Sequence, residues 1–554
     1  MDKYNELADL IFPNVIETLE DLEKRYPVRN IDKSQRVTRF APSPTGFLHT
    51  GSLFVTLVDY IAAKQSNGVF YIRLEDTDQK REIEGSGKDL IEQLKVFGLV
   101  NDEGYFGDEE KGIYGPYVQS KRKEIYDIVL KEMIRRNKAY PCFCTEEELT
   151  ELRKVQEVNK VRPGYYGIYA KYHHFSPEEA IKLIKEGKPY VIRFKSEGNE
   201  KNKYKAYDEI KGQVDITEND QDIVICKSDG LPTYHFAHLV DDHFMGTTHV
   251  IRGEEWLPSL PIHLQLFQTL GWEAPAYCHL PVIMKIDENG TRRKLSKRKD
   301  KEAATSFFIE AGYPTEGFLE YLMTVVNSNF EEWREENKNL SIFDFPFRFD
   351  KMSLDGALFD MGKVSFICKE VLSRMNSQEI SEKTYEWSKK FDKELQGLIE
   401  RDFEYFKSIM NIEREKENPR KDYEKYGDIK ESIKFFYDDY YNEMLNNELP
   451  WNPNIAKEDI KNVLNTFIAK NNMDLDEENW FANLKEIASS CGFAANVKEY
   501  KKNKEAFKGH IGDVAEIIRI AITTRKQTPN LYFILKILGV KGYTERINKV
   551  INKL

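Results

Sequence analysis

The chain has 554 residues, room for roughly three or four domains at about 100–200 residues each. Hydrophobic residues make up 40% and charged residues 32%, the balance of a globular rather than a disordered protein, and no run of about 18 apolar residues is present to span a membrane. The net charge of −11 argues against a uniformly basic nucleic-acid surface but leaves room for local basic patches.

Six cysteines over this length make no disulfide framework. The opening Met1-Asp2-Lys3-Tyr4-Asn5-Glu6 lacks the basic and apolar regions of a secretory signal. Together these give the expectation of a reduced, cytoplasmic setting. In residues 1–35, Leu7, Leu10, Ile11 and Val15 suggest a short amphipathic helix broken at Pro13, an extension suited to packing rather than chemistry.

Residues 36–112 read as the first half of a doubly wound parallel sheet. Val37 to Phe40 form a short strand, and Pro42, Pro44 and Gly46 force an irregular loop. A helix is expected from Ser52, with Leu53, Leu57 and Ile61 on one face and Asn67-Gly68 at its end. Strand, proline-glycine loop and helix form a geometry that aims N–H groups and a helix dipole at an anion; the plain alternative is a surface turn with an incidental His49. Residues 69–74 form a near-continuous apolar strand, as when helices cover both sheet faces. It delivers Glu75, Asp76 and Asp78, which either cap the next helix or face the crevice.

Residues 113–225 read as an inserted domain, with helices around 121–137 and 177–187 and a strand around 190–194. Cys142-Phe143-Cys144 raises the question of zinc, but two thiolates need two further ligands. Residues 162–169 carry no cysteine, leaving His173 and His174 as the nearby candidates. No metal site is expected. Residues 226–300 complete the sheet through strands at 222–226 and 249–252 and a helix opened by Pro261 and stopped by Gly271. Arg252 ends the second strand. Buried there, it needs a carboxylate, supplied either by a protein Asp or Glu or by a substrate.

An apolar strand at 279–284 and a turn at Asn289-Gly290 lead into the basic run Arg292-Arg293-Lys294-Leu295-Ser296-Lys297-Arg298-Lys299, followed by Lys301. A mobile cationic loop at the carboxyl end of a strand suits ligand contact in an open α/β sheet; a solvated loop is the plain reading. Residues 301–375 are connective, and 376–554 read as an all-α bundle. Val514, Ile517, Ile518 and Ala521 share one face there, and a last helix opens at Thr528-Pro529 and closes at Gly539.

Two stretches in this order carry a resemblance. His49-Thr50-Gly51-Ser52 resembles the HIGH signature and Lys294-Leu295-Ser296-Lys297-Arg298 the KMSKS signature of class I aminoacyl-tRNA synthetases. The prefix Ala41-Pro42-Ser43-Pro44-Thr45-Gly46 resembles the bacterial glutamyl-tRNA synthetase family and departs from the Pro-Pro-Glu-Pro prefix of the glutaminyl enzymes. Arg73-Leu74-Glu75-Asp76-Thr77-Asp78, Gly230-Leu231-Pro232-Thr233-Tyr234-His235, Val240-Asp241-Asp242-His243 and Ile251-Arg252-Gly253-Glu254-Glu255-Trp256 match that family as well. Ser52 stands where many class I members have a second His.

The resemblance implies a Rossmann-type sheet split by an acceptor-binding insertion and followed by a helical anticodon-binding part. It implies a glutamate–tRNA ligase that uses ATP and Mg²⁺, with tRNA(Glu) and L-glutamate as partners and tRNA(Gln) left open. A monomer with no membrane association is expected. Arg39, Ala41, Ser43, Glu75, Tyr234, His238 and Arg252 would form the glutamate pocket, His238 replacing a common Asn. His49, Gly51, Ser52, Glu255, Trp256, Lys294, Ser296 and Lys297 would contact ATP, with His49, Lys294 and Lys297 catalytic. Gly356-Ala357-Leu358-Phe359-Asp360, after the aromatic stretch 343–349, resembles the family's stem-contacting segment. Arg525, Lys526 and Thr528 fall in the best-matching part of the helical half. Two other activities stay open: a nucleotidyltransferase that does not act on tRNA, and a glutamylase of modified tRNA nucleosides.

Overall fold

The computed structural model describes residues 3–78, 81–296 and 298–554; Lys297 therefore lies outside the described residues. The chain divides into two compact units, Met1–Phe308 with Leu319–Met361 and Ile309–Phe318 with Gly362–Leu554.

The first unit opens with two short helices, α1 (Lys3–Ile11) and α2 (Leu19–Arg25). The sequence suggested only the first; Thr18 starts the second through a reciprocal cap with Asp21. Leu7, Ala8, Phe12, Leu22 and Tyr26 are buried in the core shared with Ile125, Val129 and Met133. Lys131 draws this extension down by donating to the carbonyls of Phe12 (3.1 Å) and Val15 (2.8 Å).

The sheet begins at β1 (Val37–Phe40), every residue of which is buried. Helix α3 (Thr50–Gln65) follows, then β2 (Val69–Ile72), α4 (Ser86–Val96) and β3 (Glu103–Tyr105), closed by the two-residue edge β4 (Glu110–Lys111). β1, β2 and β3 are parallel, and β4 is antiparallel. Helix α3 starts two residues earlier than the hydrophobic pattern suggests. The cause is His49, whose Nδ1 accepts the Gly51 N–H at 2.9 Å and serves as the cap.

Helix α5 (Lys123–Arg135), β5 (Ala139–Cys142), α6 (Glu146–Val158), α7 (Pro177–Lys185) and β6 (Val191–Phe194) come next. A ribbon then runs out along β7 (Lys203–Asp208) and back along β8 (Gly212–Thr217), before β9 (Val224–Cys226). β5, β6 and β9 form an antiparallel sheet. After α8 (Tyr234–Phe244), β10 (His249–Gly253) and β11 (Ala276–Leu280) pair in parallel around α9 (Leu260–Leu270). The ribbon joins this half, with Asp208 of β7 beside Tyr277 of β11.

Thr248 N–H donates to the Val37 carbonyl at 3.0 Å, which sets the start of β10 against β1. The chain thus winds away from β1 on one side and from β10 on the other, and ligands in such sheets bind at the carboxyl ends where the order reverses.

The strand expected at 279–284 is broken. Pro281 cannot donate a ladder hydrogen bond, and the chain resumes as a hairpin of β12 (Met284–Ile286) and β13 (Arg292–Lys294). The outer side of β12 pairs with residues 357–359: Met284 N–H donates to Ala357 O (2.9 Å) and Phe359 N–H to Met284 O (2.7 Å).

The second unit is built from helices, with no strand among its described residues. Ile511–Thr523 is buried along most of its length. The last helix, Leu531–Lys553, does not end at Gly539: that residue takes φ 68° and ψ 164°, kinks the rod, and the helix resumes to Lys553. No helix among the described residues is long and apolar enough to cross a membrane.

Candidate active site

A cavity of about 1100 Å³ opens at the reversal point. Arg39, Ala41 and Ser43 reach it from the end of β1, and His49, Gly51 and Ser52 from the start of α3. Glu75 comes from beyond β2, Tyr234 from the start of α8, and Arg252 from β10. The short turn Glu254–Ser259 adds Glu255 and Trp256, and β13 adds Lys294. The first motif loop and Lys294, the first residue of the second motif, therefore share one space, although they are far apart in sequence.

Main-chain bonds hold that arrangement. Pro42 O accepts the Glu75 N–H (2.9 Å), fixing the proline loop over the end of β2. Thr50 Oγ1 donates to Glu302 O (2.7 Å), and Thr305 N–H donates to Leu48 O (3.1 Å), so the start of α3 is tied to the segment after the basic run. Asp300 staples the run itself. It takes a two-pronged ion pair from Arg293 (2.6 and 2.8 Å) and the Ser296 N–H (2.9 Å). These donors, the Arg293 fork first, hold its carboxyl well below the usual carboxylate range.

Lys294 is bonded to Glu255 at 2.5 Å across the rim. His49 accepts through Nδ1, which leaves the ring proton on Nε2, a donor suited to a phosphate oxygen.

Among the described residues, two expected site residues do not line the cavity. Ser296 turns its backbone to Asp300. His238 is fully buried behind Tyr234, their rings stacked 5.7 Å apart, with Nδ1 2.7 Å from Asp242. Burial pushes its imidazole down to about 4, so it is neutral. Cys142 and Cys144 both face the Tyr165 hydroxyl (3.5 and 3.6 Å), and His173 is engaged by Asp222 (2.6 Å).

Sequence reasoning missed the layer beneath the cavity. Asp242 accepts from Arg39 Nε (3.2 Å) and Arg73 Nη1 (2.7 Å), and Arg73 reaches on to Glu75 (2.9 Å). Burial pushes the Asp242 carboxyl up, but Arg39 and Arg73 outweigh it and hold the group well below its ordinary value. Asp241 takes Arg122 (2.6 Å) and Gln119 (2.8 Å). The signal available was Arg73 itself, a cation inside an apolar strand.

Arg252 is 5% exposed, and among the described residues no carboxylate pairs with it. It donates through Nε to His279 Nε2 (3.0 Å), through Nη1 to His263 Nδ1 (3.1 Å), and through Nη2 to the Trp256 carbonyl (3.4 Å).

The catalytic-domain model of the class I tRNA synthetases (E and Q) matches residues 35–339, and an anticodon-binding-domain model matches 418–551. A glutamate–tRNA ligase of Clostridium perfringens (strain 13 / Type A) is 47% identical over 98% of this chain and 100% of its own length. One from Acetivibrio thermocellus is 45% identical over 99% of this chain and all of the relative. Coverage this complete extends into the N-terminal helices, so the extension is not peculiar to this chain. The crystal structure of a glutamate tRNA ligase from Elizabethkingia meningosepticum, in complex with its amino acid, superposes with a TM-score of 0.73 at 27% identity, covering 94% of this chain and 100% of that one. On these matches, which span the catalytic half and run nearly end to end, the chain belongs to the glutamate–tRNA ligase family of class I tRNA synthetases.

Proposed function

We propose that the protein is a glutamate–tRNA ligase, activating L-glutamate with ATP to glutamyl-adenylate and pyrophosphate and passing the glutamyl group to the 3′-terminal adenosine of tRNA(Glu). The observation that carries this reading is Arg252: a buried guanidinium in the cavity wall whose protein partners are all uncharged. A glutamate side-chain carboxylate there gains two charge-assisted hydrogen bonds. Glu75, in the same cavity, takes the substrate ammonium.

The α-carboxylate of glutamate attacks the α-phosphorus of ATP; the new C–O–P bond forms as the bond to pyrophosphate breaks. The protein's part is to position and to stabilise charge. His49 Nε2–H and the N-terminal amides of α3 bind phosphate oxygens, and Lys294 leaves Glu255 for the departing pyrophosphate, with Lys297 assigned beside it from the sequence. Mg²⁺ enters with the triphosphate. There it would neutralise charge on the leaving pyrophosphate beside Lys294. In the second step a ribose hydroxyl of the terminal adenosine attacks the acyl carbon, and AMP leaves.

The cavity continues past Gln119, Lys227 and Asp229, giving the tRNA end an approach from the inserted part, which we assign to residues 113–225. In the helical unit, a second cavity of about 370 Å³ is lined by Trp480, Phe481, Arg519 and Thr528, and Arg519 Nε is buried with no hydrogen-bond partner among the described residues. An aromatic face beside an unused donor suits an unstacked base, and we assign anticodon reading to this region. The presence of this helical unit favours tRNA charging over glutamylation of a modified tRNA nucleoside.

The test is aminoacylation with glutamate or glutamine against purified tRNA(Glu) and tRNA(Gln). ATP-dependent attachment of glutamate to tRNA(Glu) is expected, with the tRNA(Gln) arm deciding that partner. His49→Ala lowers turnover by about 10²–10³-fold, the usual loss for one such donor. No glutamate-dependent charging of either tRNA would end the reading.

A further inference from the structure

The partners of Arg252 form two chains of fixed polarity. Asp208, at the end of β7, accepts His279 Nδ1–H at 2.7 Å and the His279 backbone N–H at 3.1 Å. Its remaining capacity goes to the backbone N–H groups of Ile210 (3.0 Å) and Lys211 (2.8 Å). With its proton held on Nδ1, His279 presents a bare Nε2 lone pair to Arg252. On the other side, His263 accepts from Arg252 through Nδ1, so its Nε2–H points to His235 Nδ1 at 3.0 Å. Both His263 and His279 are fully buried.

We propose that His279 and His263 are positioning residues that fix the Arg252 guanidinium while leaving its charge uncompensated, and that this sets the preference for a side-chain carboxylate over a carboxamide. The proposal rests on the glutamate reading of the cavity. A carboxylate in either position would hold the guanidinium as well, but it would cancel the charge that distinguishes glutamate from glutamine. A neutral ring fixes geometry alone.

The surroundings keep the rings uncharged. Burial pushes His263 well below its ordinary value and His279 down as well, and the Arg252 charge adds to both shifts. The other groups facing the guanidinium are Tyr234 and the neutral His238 on α8, the Trp256 carbonyl, and the Tyr277 ring, 4.9 Å from the guanidinium carbon. Glu254 is taken by Lys211 (2.7 Å) and Glu255 by Lys294 (2.5 Å).

The experiment compares two near-isosteric replacements in the full chain. His263→Asn keeps a neutral acceptor near the Nδ1 position, and His263→Asp puts a carboxylate there. The expected KM for glutamate stays within about 3-fold of wild type for Asn and rises about 10–100-fold for Asp, the worth of a charge-assisted contact. KM for ATP is unchanged in both, and the glutamate-to-glutamine preference narrows only for Asp. Equal effects of Asn and Asp on glutamate KM would overturn the proposal. Arg252→Ala is the separate control: if it leaves glutamate KM unmoved, the pocket reading fails rather than the positioning. Should the Asp variant not fold, wild-type KM for glutamate between pH 8 and 6 decides. A flat profile supports neutral rings, and a rise centred near 6.5 overturns them.

Discussion

Replacing Asp242 by Asn keeps the side chain's shape and removes the one negative charge that Arg39 and Arg73 share. Arg39 is 4% exposed, Arg73 and Asp242 essentially not at all, and the two contacts are 3.2 and 2.7 Å long. Breaking a buried pair strands an uncompensated charge and costs about 3–5 kcal/mol. The control is Asp350→Asn in the same unit. Its pair with Arg348 is equally short, at 2.6 Å, but the side chains are 64% and 56% exposed, where solvent and salt screen the pair. A unit this large shifts its melting midpoint by at most about 2 °C per kcal/mol. Calorimetry should therefore show a clear fall, of up to about 6–10 °C, for Asp242→Asn and little or none for Asp350→Asn. Equal shifts would show that burial does not set the worth of the pair, and the account of the layer beneath the cavity would be wrong.

Two further outcomes follow from single positions. Because the folded Asp300 carboxyl lies below its unfolded value of 3.8, its hold on the basic run is complete above that pH and is lost as pH falls through the lower folded value. Hydrogen exchange of the Ser296 amide, corrected for intrinsic rate, should be protected at pH 5 and lose protection below about 3.8; full protection down to pH 2 would contradict this staple. Gly68 packs so closely that a Cβ would sit 1.9 Å from the Arg36 carbonyl oxygen, a backbone atom that cannot swing aside. Gly68→Ala should cost about 1–3 kcal/mol, read as a lower melting temperature, and an unchanged midpoint would deny the close approach.

What the sequence disclosed was local. Pro42, Pro44 and Gly46 announce an irregular loop because they act on their own backbone, and the run from Arg292 to Lys299 is visible as charge. The start of α3 was misplaced because the cap is an imidazole, which hydrophobic spacing does not register. The strand through Pro281 was overextended because apolar character was weighted above a missing donor. The second N-terminal helix was marked by Thr18 and Asp21 at capping distance. The partners of Arg252 left no trace, since His263, His279 and Asp208 come from α9, β11 and β7, and nothing in their spacing says that they meet.

Arg39 and Arg252 read alike in sequence, each a cation near the end of a parallel strand. Beneath Arg39 the charges cancel: Arg39 and Arg73 stand against Asp242 and Glu75, while Arg122 is answered by Asp241. Around Arg252 they do not, because Asp208 spends itself on His279 and two amides and reaches the guanidinium only through a neutral ring. At Arg252 the wall of the cavity thus presents a positive charge with no carboxylate partner among the described residues. Desolvating that charge is tolerable only if a carboxylate arrives to meet it, so the same arrangement that makes the empty pocket costly gives an anionic side chain its advantage over a neutral amide of the same shape.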